Sequence, residues 1–154
     1  MVDVQILKKV SLFESLDASE LEALAAIVRI KDFIAGDYIF SEGAPAHSLF
    51  LIQSGTIEIY NKGVNEDVKI ATLGAGSHFG EIPFFDPVER TGSAEARENT
   101  LVYEIDYSDL EALIKGNPAL GMKFCKAVTR ALCKRIRQTT HDLSSLKELK
   151  LRSV

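Results

Sequence analysis

The sequence predicts an α+β fold that is mainly β: an antiparallel β-roll (a double-stranded β-helix, jelly-roll-like) with an N-terminal helical segment and a long C-terminal helix. Three observations predict it. Short alternating or apolar runs fill residues 31–103, helix-capping patterns lie before them, and an apolar stripe with helical spacing follows Pro118. With 154 residues, 46% of them hydrophobic, the chain can bury one core.

The N-terminal helical segment is indicated by two capping patterns. Residues 11–14 and 17–20 each place an acid three positions after a Ser or Asp, the spacing that satisfies free backbone amides at a helix start. The apolar residues that follow share one helical face: Leu21, Leu24, Ala25 and Val28. We therefore expect an amphipathic helix at the start of the domain.

The β-roll is predicted from six short runs separated by glycines. The runs are "DYIF", "SLFLIQ", "TIEIYN", "VKIATL", "TGSAEARE" and "TLVYEI", and the glycines are Gly36, Gly43, Gly55, Gly63, Gly74 and Gly76. Strands of this length with regular glycine turns are typical of an antiparallel sandwich or barrel. Residues 80–89 interrupt the pattern and are expected to form a loop or a short helical turn.

Helix signals return after the roll. Asp106 is a candidate cap, Gly116 a stop, and Asn117-Pro118 a helix start. We divide the chain into residues 1–117, the roll with its flanking helices, and residues 118–154, a lid and dimerisation helix of the same module. Every seventh residue of that helix gives two lines: Thr129, Ile136, Leu143, Lys150 and Cys125, Leu132, Thr139, Leu146. This pattern predicts a parallel homodimer seam, or else a stripe that packs on the roll.

The distribution of charge and the hydrophobic pattern limit the partners and the location that we expect for the protein. Residues 121–154 hold nine Lys or Arg against two acids, so a basic tail follows an acidic body; this fits nucleic-acid or membrane contact, attraction between tail and body, or a solvated face. There is no run of 18 apolar residues and no signal-peptide pattern, so we predict a cytoplasmic protein with no membrane partner. Cys125 and Cys133 are eight residues apart and are predicted to be reduced core or interface residues.

Catalysis has no candidate residues in the sequence. The three histidines are too scattered for a metal site, and neither a Gly-x-Ser-x-Gly motif nor a phosphate-binding P-loop is present. We therefore predict that the chain is not an enzyme.

One segment carries a family resemblance. The stretch "FGEIPFFDPVERTGSA" (79–94), with "GDYIFSEGAPAHSLFLIQSG" (36–55) before it and a long helix after it, resembles the cyclic-nucleotide-binding domain. That domain is shared by the catabolite activator protein family, the regulatory subunits of cyclic-nucleotide-dependent kinases, and gated channels. The resemblance covers roughly residues 11–140 and implies cAMP or cGMP as ligand, with no other cofactor.

The resemblance implies a role for each residue of a phosphate-binding cassette. Arg90 pairs with the cyclic phosphate through its guanidinium fork. Glu81 accepts a hydrogen bond from the ribose 2′-OH, and Gly80 lets the backbone approach the sugar. Amides in the helical turn that opens at Ile82 add donors. The Thr91 hydroxyl reaches the phosphate or a guanine amino group, which is a hint of cGMP.

The base is expected to lie against an apolar wall and under the C-terminal helix. The residues matched to the wall are Ile59, Ile70, Ala71 and Leu73, which could also serve as core. Arg135, flanked by Leu132 and Ile136, is matched to the lid residue that touches the purine, where its guanidinium could stack on the base. A helix-surface arginine is the alternative.

Pro83 departs from the family pattern. Its position usually carries a residue whose backbone amide donates to the cyclic phosphate, and proline has no such proton. Two hypotheses follow: a stand-alone cyclic-nucleotide sensing module that signals through its C-terminal helix to a dimer mate or a protein effector, or a dimerising interaction module whose pocket no longer binds nucleotide. The chain leaves no room for a winged helix-turn-helix after the lid helix, so direct DNA binding is not expected.

Overall fold

The computed structural model describes residues 2–152 and confirms the mainly β roll. Within that range, eight strands form two four-stranded antiparallel sheets, ordered β1-β8-β3-β6 and β2-β7-β4-β5. The strands are β1 (Val28–Phe33), β2 (Tyr38–Phe40), β3 (Ser48–Ser54), β4 (Ile57–Asn61), β5 (Val68–Leu73), β6 (His78–Phe79), β7 (Ser93–Ala96) and β8 (Thr100–Asp106). All six predicted runs contain a strand.

Helices flank the roll and interrupt it once. They are α1 (Val4–Lys8), a 3-10 turn (Ser11–Phe13), α2 (Ala18–Ala25), α3 (Ile82–Phe85), α4 (Tyr107–Gly116) and α5 (Pro118–Arg152). The predicted cap of α2 is present, because the Glu20 amide donates to Asp17 at 2.8 Å and the Asp17 amide donates to Glu20 at 2.9 Å. Asp106 caps α4 through its side chain, as predicted.

The central strands β3 and β8 of the first sheet are buried on both faces, and this arrangement divides the core into two parts. One face meets the second sheet through Phe50, Ile52, Phe79 and Val102, packed with Ile57, Ala94 and Ala96. The other face meets the helices through Leu49, Leu51, Tyr103 and Ile105. Because β3 is covered on both sides, it reads as a continuous apolar run instead of an alternating one.

The C-terminal helix starts in the core and then leaves it. Its first turns bury Leu120, Gly121, Phe124 and Val128, whereas residues 133–152 are exposed throughout. At about 1.5 Å per residue, this exposed part extends roughly 30 Å. The stripe therefore does not pack on the roll beyond Leu132, and its later members Ile136, Leu143 and Leu146 are more than half exposed.

Some expectations about the N-terminal segment were wrong. Val28 belongs to β1, where it pairs with Ile105, because strand pairing with β8 overrides the helical spacing. Residues 11–14 form only a 3-10 turn, which has no side-chain cap bond at its start. The two-residue strand β6 was not predicted.

The cysteines are free, as predicted, but they do not lie in the core. Cys125 and Cys133 are both exposed on α5. They lie outside the buried face of α5, which packs on the core through Leu120, Phe124 and Val128. Their placement at an interface stays a prediction.

Candidate functional site

A cavity of about 290 Å³ opens between the second sheet, the segment around α3, and α5. Every residue predicted from the sequence to form the site lines this cavity: Ile59, Ile70, Ala71, Leu73, Gly80, Glu81, Ile82, Arg90, Thr91 and Arg135. It is also lined by Phe40, Asn61, Phe79, Pro83 and Gly92. Its volume lies near the lower end of the range for small-molecule sites.

Neighbouring strands place the apolar wall opposite the charged residues. Ile59 on β4 pairs with Ala71 on β5, so both belong to one hairpin of the second sheet. Arg90 is fixed at its backbone from outside that hairpin, since its amide donates to the Ala44 carbonyl at 2.9 Å and its carbonyl accepts from the Gly43 amide at 2.8 Å. The sheet thus supplies the apolar wall, and a loop held by two backbone hydrogen bonds supplies the guanidinium of Arg90.

Arg90 is a buried cation that has no carboxylate partner in the described range. Its residue is 5% exposed, and no acidic oxygen among residues 2–152 lies within ion-pair distance of it. Its guanidinium donates to Ser48 O at 2.6 Å, Gly80 O at 3.1 Å and the Tyr107 hydroxyl at 3.3 Å, and lies 4.0 Å above the Phe40 ring. Burial lowers the pKa of Arg90 from its ordinary value, because desolvation penalises the charged form.

A buried guanidinium that contacts carbonyl oxygens, a hydroxyl and aromatic faces has the chemistry to bind an anion. An unpaired buried charge costs free energy. An anionic ligand at Arg90 would form a charge-assisted hydrogen bond with a guanidinium that is already shielded from water. The Arg90 Nε atom is buried and has no hydrogen-bond partner within residues 2–152.

Gly80 is required by this geometry for two reasons. Its φ is +78°, in the left-handed region that favours glycine. A Cβ atom at this position would lie 2.8 Å from Arg90 Nη1, and 3.4 Å from both the Phe40 ring and Ser48 O. The glycine therefore lets the backbone approach the guanidinium closely.

Glu81 is held by α5. It is 2% exposed, and its Oε1 accepts a hydrogen bond from Arg135 Nη1 at 2.9 Å. Arg135 Nη2 also donates to His78 O at 3.3 Å. Arg135 therefore contacts the carboxylate directly, where the resemblance led us to expect contact with a purine. A buried carboxylate gains more from a cationic partner than from none.

The segment around α3 contacts α5 at a second point. Phe84 and Phe85 both pack on Phe124 of α5, with ring centroids 6.0 and 5.8 Å apart. Phe84 also lies 5.6 Å from the ring of Tyr107, whose hydroxyl donates to Gly80 O. The residues that line the cavity are thus linked to α5 through an aromatic cluster as well as through the Glu81–Arg135 ion pair.

Several residues at the site were not predicted from the sequence, including three that contact its charged side chains. Phe40 and Tyr107 contact Arg90, and His78 lies beneath Arg135. Because His78 stands two residues before Gly80, its closeness to this segment could have been predicted from the sequence. Tyr107 lies 17 residues beyond Arg90, and nothing in the local pattern indicates that the two meet.

Comparison with known proteins identifies the family. The model of the cyclic nucleotide-binding domain matches residues 30–117. The chain belongs to the cyclic nucleotide-binding domain family. Among curated proteins it is similar to the CRP-like cAMP-activated global transcriptional regulator of Mycobacterium tuberculosis, with 29% identity over 143 residues, which cover 92% of this chain and 62% of the relative.

Solved structures of other proteins share the fold. The catabolite activator protein of Thermus thermophilus has a TM-score of 0.77 and 27% identity, over 89% of this chain and 63% of that one. The N-terminal domain of a transcriptional regulator from Streptomyces coelicolor has a TM-score of 0.74 and 25% identity, over 84% of this chain and 94% of that one. The chain spans less than two thirds of the length of the curated relatives it matches.

Residues 2–152 hold neither a candidate metal site nor a candidate membrane span. Across residues 2–152, no cluster of three or more His, Cys, Asp or Glu side chains could hold a metal ion. None of the helices in that range combines the length and apolar character needed to cross a membrane.

Proposed function

We propose that this chain is a cyclic-nucleotide sensing module that binds cAMP or cGMP in the cavity and signals through α5. The observation that carries the proposal is the joint placement of Arg90 and Glu81. Both are buried, both line one cavity, and they are not paired with each other. Two opposite charges held apart in one cavity suit a ligand that has both a negatively charged group and a hydroxyl group that donates a hydrogen bond.

The chemistry of a cyclic nucleotide fits the two ends of the cavity. The phosphate, with one negative charge, meets Arg90, which has a free Nε and a guanidinium fork that can turn from its carbonyl partners. The ribose 2′-OH meets Glu81, whose Oε2 accepts no hydrogen bond within residues 2–152. The base lies along the apolar wall that includes Ile59 and Ala71.

A route from ligand to output runs through α5. Arg135 and the ribose hydroxyl both approach Glu81, so ligand binding changes the partner set of the lid arginine. A shift of α3 moves Phe84 and Phe85, which pack on Phe124. A ligand that binds better to one pose of α5 than to the other shifts the population toward it.

We further propose that α5 carries this change to a second copy of the chain or to a protein effector. Residues 133–152 make a projecting helix with no buried side chain, and the exposed Ile136, Leu143 and Leu146 fall on two neighbouring lines of a seven-residue repeat. An isolated helical arm of this length is marginal in water, and an apolar seam stabilises it by pairing. Sedimentation equilibrium of wild type and of Leu143→Asp tests this: a dimer that becomes a monomer supports the seam, and a wild-type monomer contradicts it.

Isothermal titration calorimetry with cAMP and cGMP tests the binding proposal. We expect wild type to bind at least one nucleotide and Arg90→Ala to lose about a hundredfold or more in affinity, because the variant removes a charge-assisted contact. Arg29→Ala is the matched control, since Arg29 lies on β1 with its side chain 66% exposed. Absence of heat with both nucleotides at millimolar concentration would end the proposal.

A second function is favoured by Pro83, which is buried and lines the cavity without a backbone amide. In this alternative, the fold serves as a dimerising interaction module that binds no nucleotide. A wild type that binds neither nucleotide, together with a Pro83→Ala variant that binds one, would establish it. Equal binding by both proteins would remove it.

A further inference from the structure

Under α5, one carboxylate oxygen of Glu81 is approached by two other side chains, those of Arg135 and His78. Glu81 Oε1 lies 2.9 Å from Arg135 Nη1 on one side and 3.7 Å from His78 Nε2 on the other. Arg135 also donates to the His78 carbonyl. One oxygen atom of the residue proposed to bind ribose is therefore approached by two groups that can both be cationic.

His78 is buried, and one of its ring nitrogens has no hydrogen-bond partner in the described range. Its residue is 5% exposed, and Nε2 makes no hydrogen bond within residues 2–152. Burial lowers the pKa of His78 from its ordinary value; the charge of Glu81 raises it and that of Arg135 lowers it. Burial thus favours the neutral imidazole, whose Nε2 lies 3.7 Å from Glu81 Oε1 without a hydrogen bond.

We propose that His78 is a positioning residue for Glu81: on taking up a proton it displaces Arg135 from the carboxylate, releases α5 from the cavity, and favours entry of an anionic nucleotide. This inference rests on the proposed function. Under this proposal, the protonation state of His78 decides whether Glu81 pairs with Arg135 or with His78. Like charges on His78 and Arg135 cannot both stay close to one oxygen without repulsion.

Charged groups of both signs lie around His78, and those of α5 are basic. The segment before α3 presents Glu81, α5 presents Arg135, and a second cavity of about 290 Å³, lined in part by His78, also borders Arg130 and Lys134 of α5. Glu14 is the one acidic residue lining that cavity in the described range. A proton on His78 therefore adds positive charge beneath a basic stretch of α5, which weakens the docking of the helix. It also adds positive charge beside a site for an anion.

The first experiment needs no nucleotide. The imidazole signals of histidine-labelled protein are followed by NMR against pH in wild type, Glu81→Gln and Arg135→Gln. We expect Glu81→Gln to lower the pKa of His78, because an attraction to the imidazolium is lost, and Arg135→Gln to raise it, because a repulsion is lost. The exposed His141 of α5 is the internal control. An identical His78 titration in all three proteins overturns the inference.

The second experiment measures nucleotide affinity at pH 7.5 and pH 5.5 by calorimetry. An anion that favours the protonated imidazole binds more tightly at low pH; we expect about three- to tenfold, since a coupling of one pKa unit changes affinity at most about tenfold. The phosphodiester does not titrate in this range. His78→Gln should bind with a flat profile, and His78→Phe is a second variant should the first not fold.

The outcomes separate the inference from the proposed function. Wild type that binds nucleotide with the same affinity at both pH values, or His78→Gln with the wild-type slope, overturns the inference and leaves the proposed function intact. No binding at either pH overturns the proposed function, and the NMR titration then decides whether His78 and Arg135 compete for Glu81.

Discussion

The substitution Pro83→Ala restores a backbone amide at the cavity. Pro83 lies in the first turn of α3, where helix amides have no acceptor within the helix. The turn is otherwise hydrogen-bonded, because the Phe84 amide donates to Glu81 O at 3.1 Å and the Asp86 amide to Ile82 O at 2.9 Å. An alanine at position 83 therefore adds one unpaired donor among the residues that line the cavity and leaves those bonds in place.

Two effects of opposite sign follow. A hydrogen bond to a charged oxygen is worth about 1.5 to 3 kcal/mol, so nucleotide affinity should rise about ten- to a hundredfold. The unfolded chain gains freedom when proline is removed, so the free energy of unfolding should fall by about 0.4 to 1 kcal/mol. The variant is thus expected to bind more tightly and to be less stable in the absence of ligand.

Calorimetry with cAMP and cGMP, together with urea denaturation of the free protein, measures both effects. Pro87→Ala is the matched control, because Pro87 lies exposed in the loop after α3 and does not line the cavity. The control should lose stability to a similar extent without a change in affinity. Pro83→Ala with wild-type or weaker affinity refutes the argument that the missing amide limits binding.

Three further predictions concern the cation, a turn and a helix cap. Arg90→Lys keeps the charge but loses the guanidinium fork, so calorimetry should show affinity reduced at least about tenfold; unchanged affinity contradicts this. Gly55→Ala should lower the unfolding free energy by at least about 2 kcal/mol, because its φ is +99° and its Cβ would lie 2.6 Å from backbone. Gly43→Ala, at φ +84° with nothing within 4 Å, should cost less in the same urea experiment. Asp106→Ala should cost about 1 kcal/mol at pH 7. The Ser108 hydroxyl lowers the pKa of Asp106, so this cost is present above about pH 4 and shrinks as the pH falls through the lower folded value; an equal cost at pH 7 and pH 2 contradicts it.

Local patterns predicted those elements whose signals are contained in a few neighbouring residues. The capping box at Asp17, the cap at Asp106 and the start of α5 at Pro118 all appear as expected, because each depends on contacts within one helical turn. The error at Val28 has the opposite origin. That residue fits a helical face, but its partner Ile105 lies 77 residues away, and pairing across that distance leaves no local trace.

The family segment, the glycine turns and residues that line the cavity could be predicted from the sequence, since these depend on residue type and short spacing. The contacts of the charged groups appear only in the folded chain: Arg90 donates to the carbonyl oxygens of Ser48 and Gly80, and Arg135 pairs with Glu81 beside His78. The physical reason is that the energy of a buried charge depends on every group that folding brings within a few ångströms, and those groups come from distant parts of the chain.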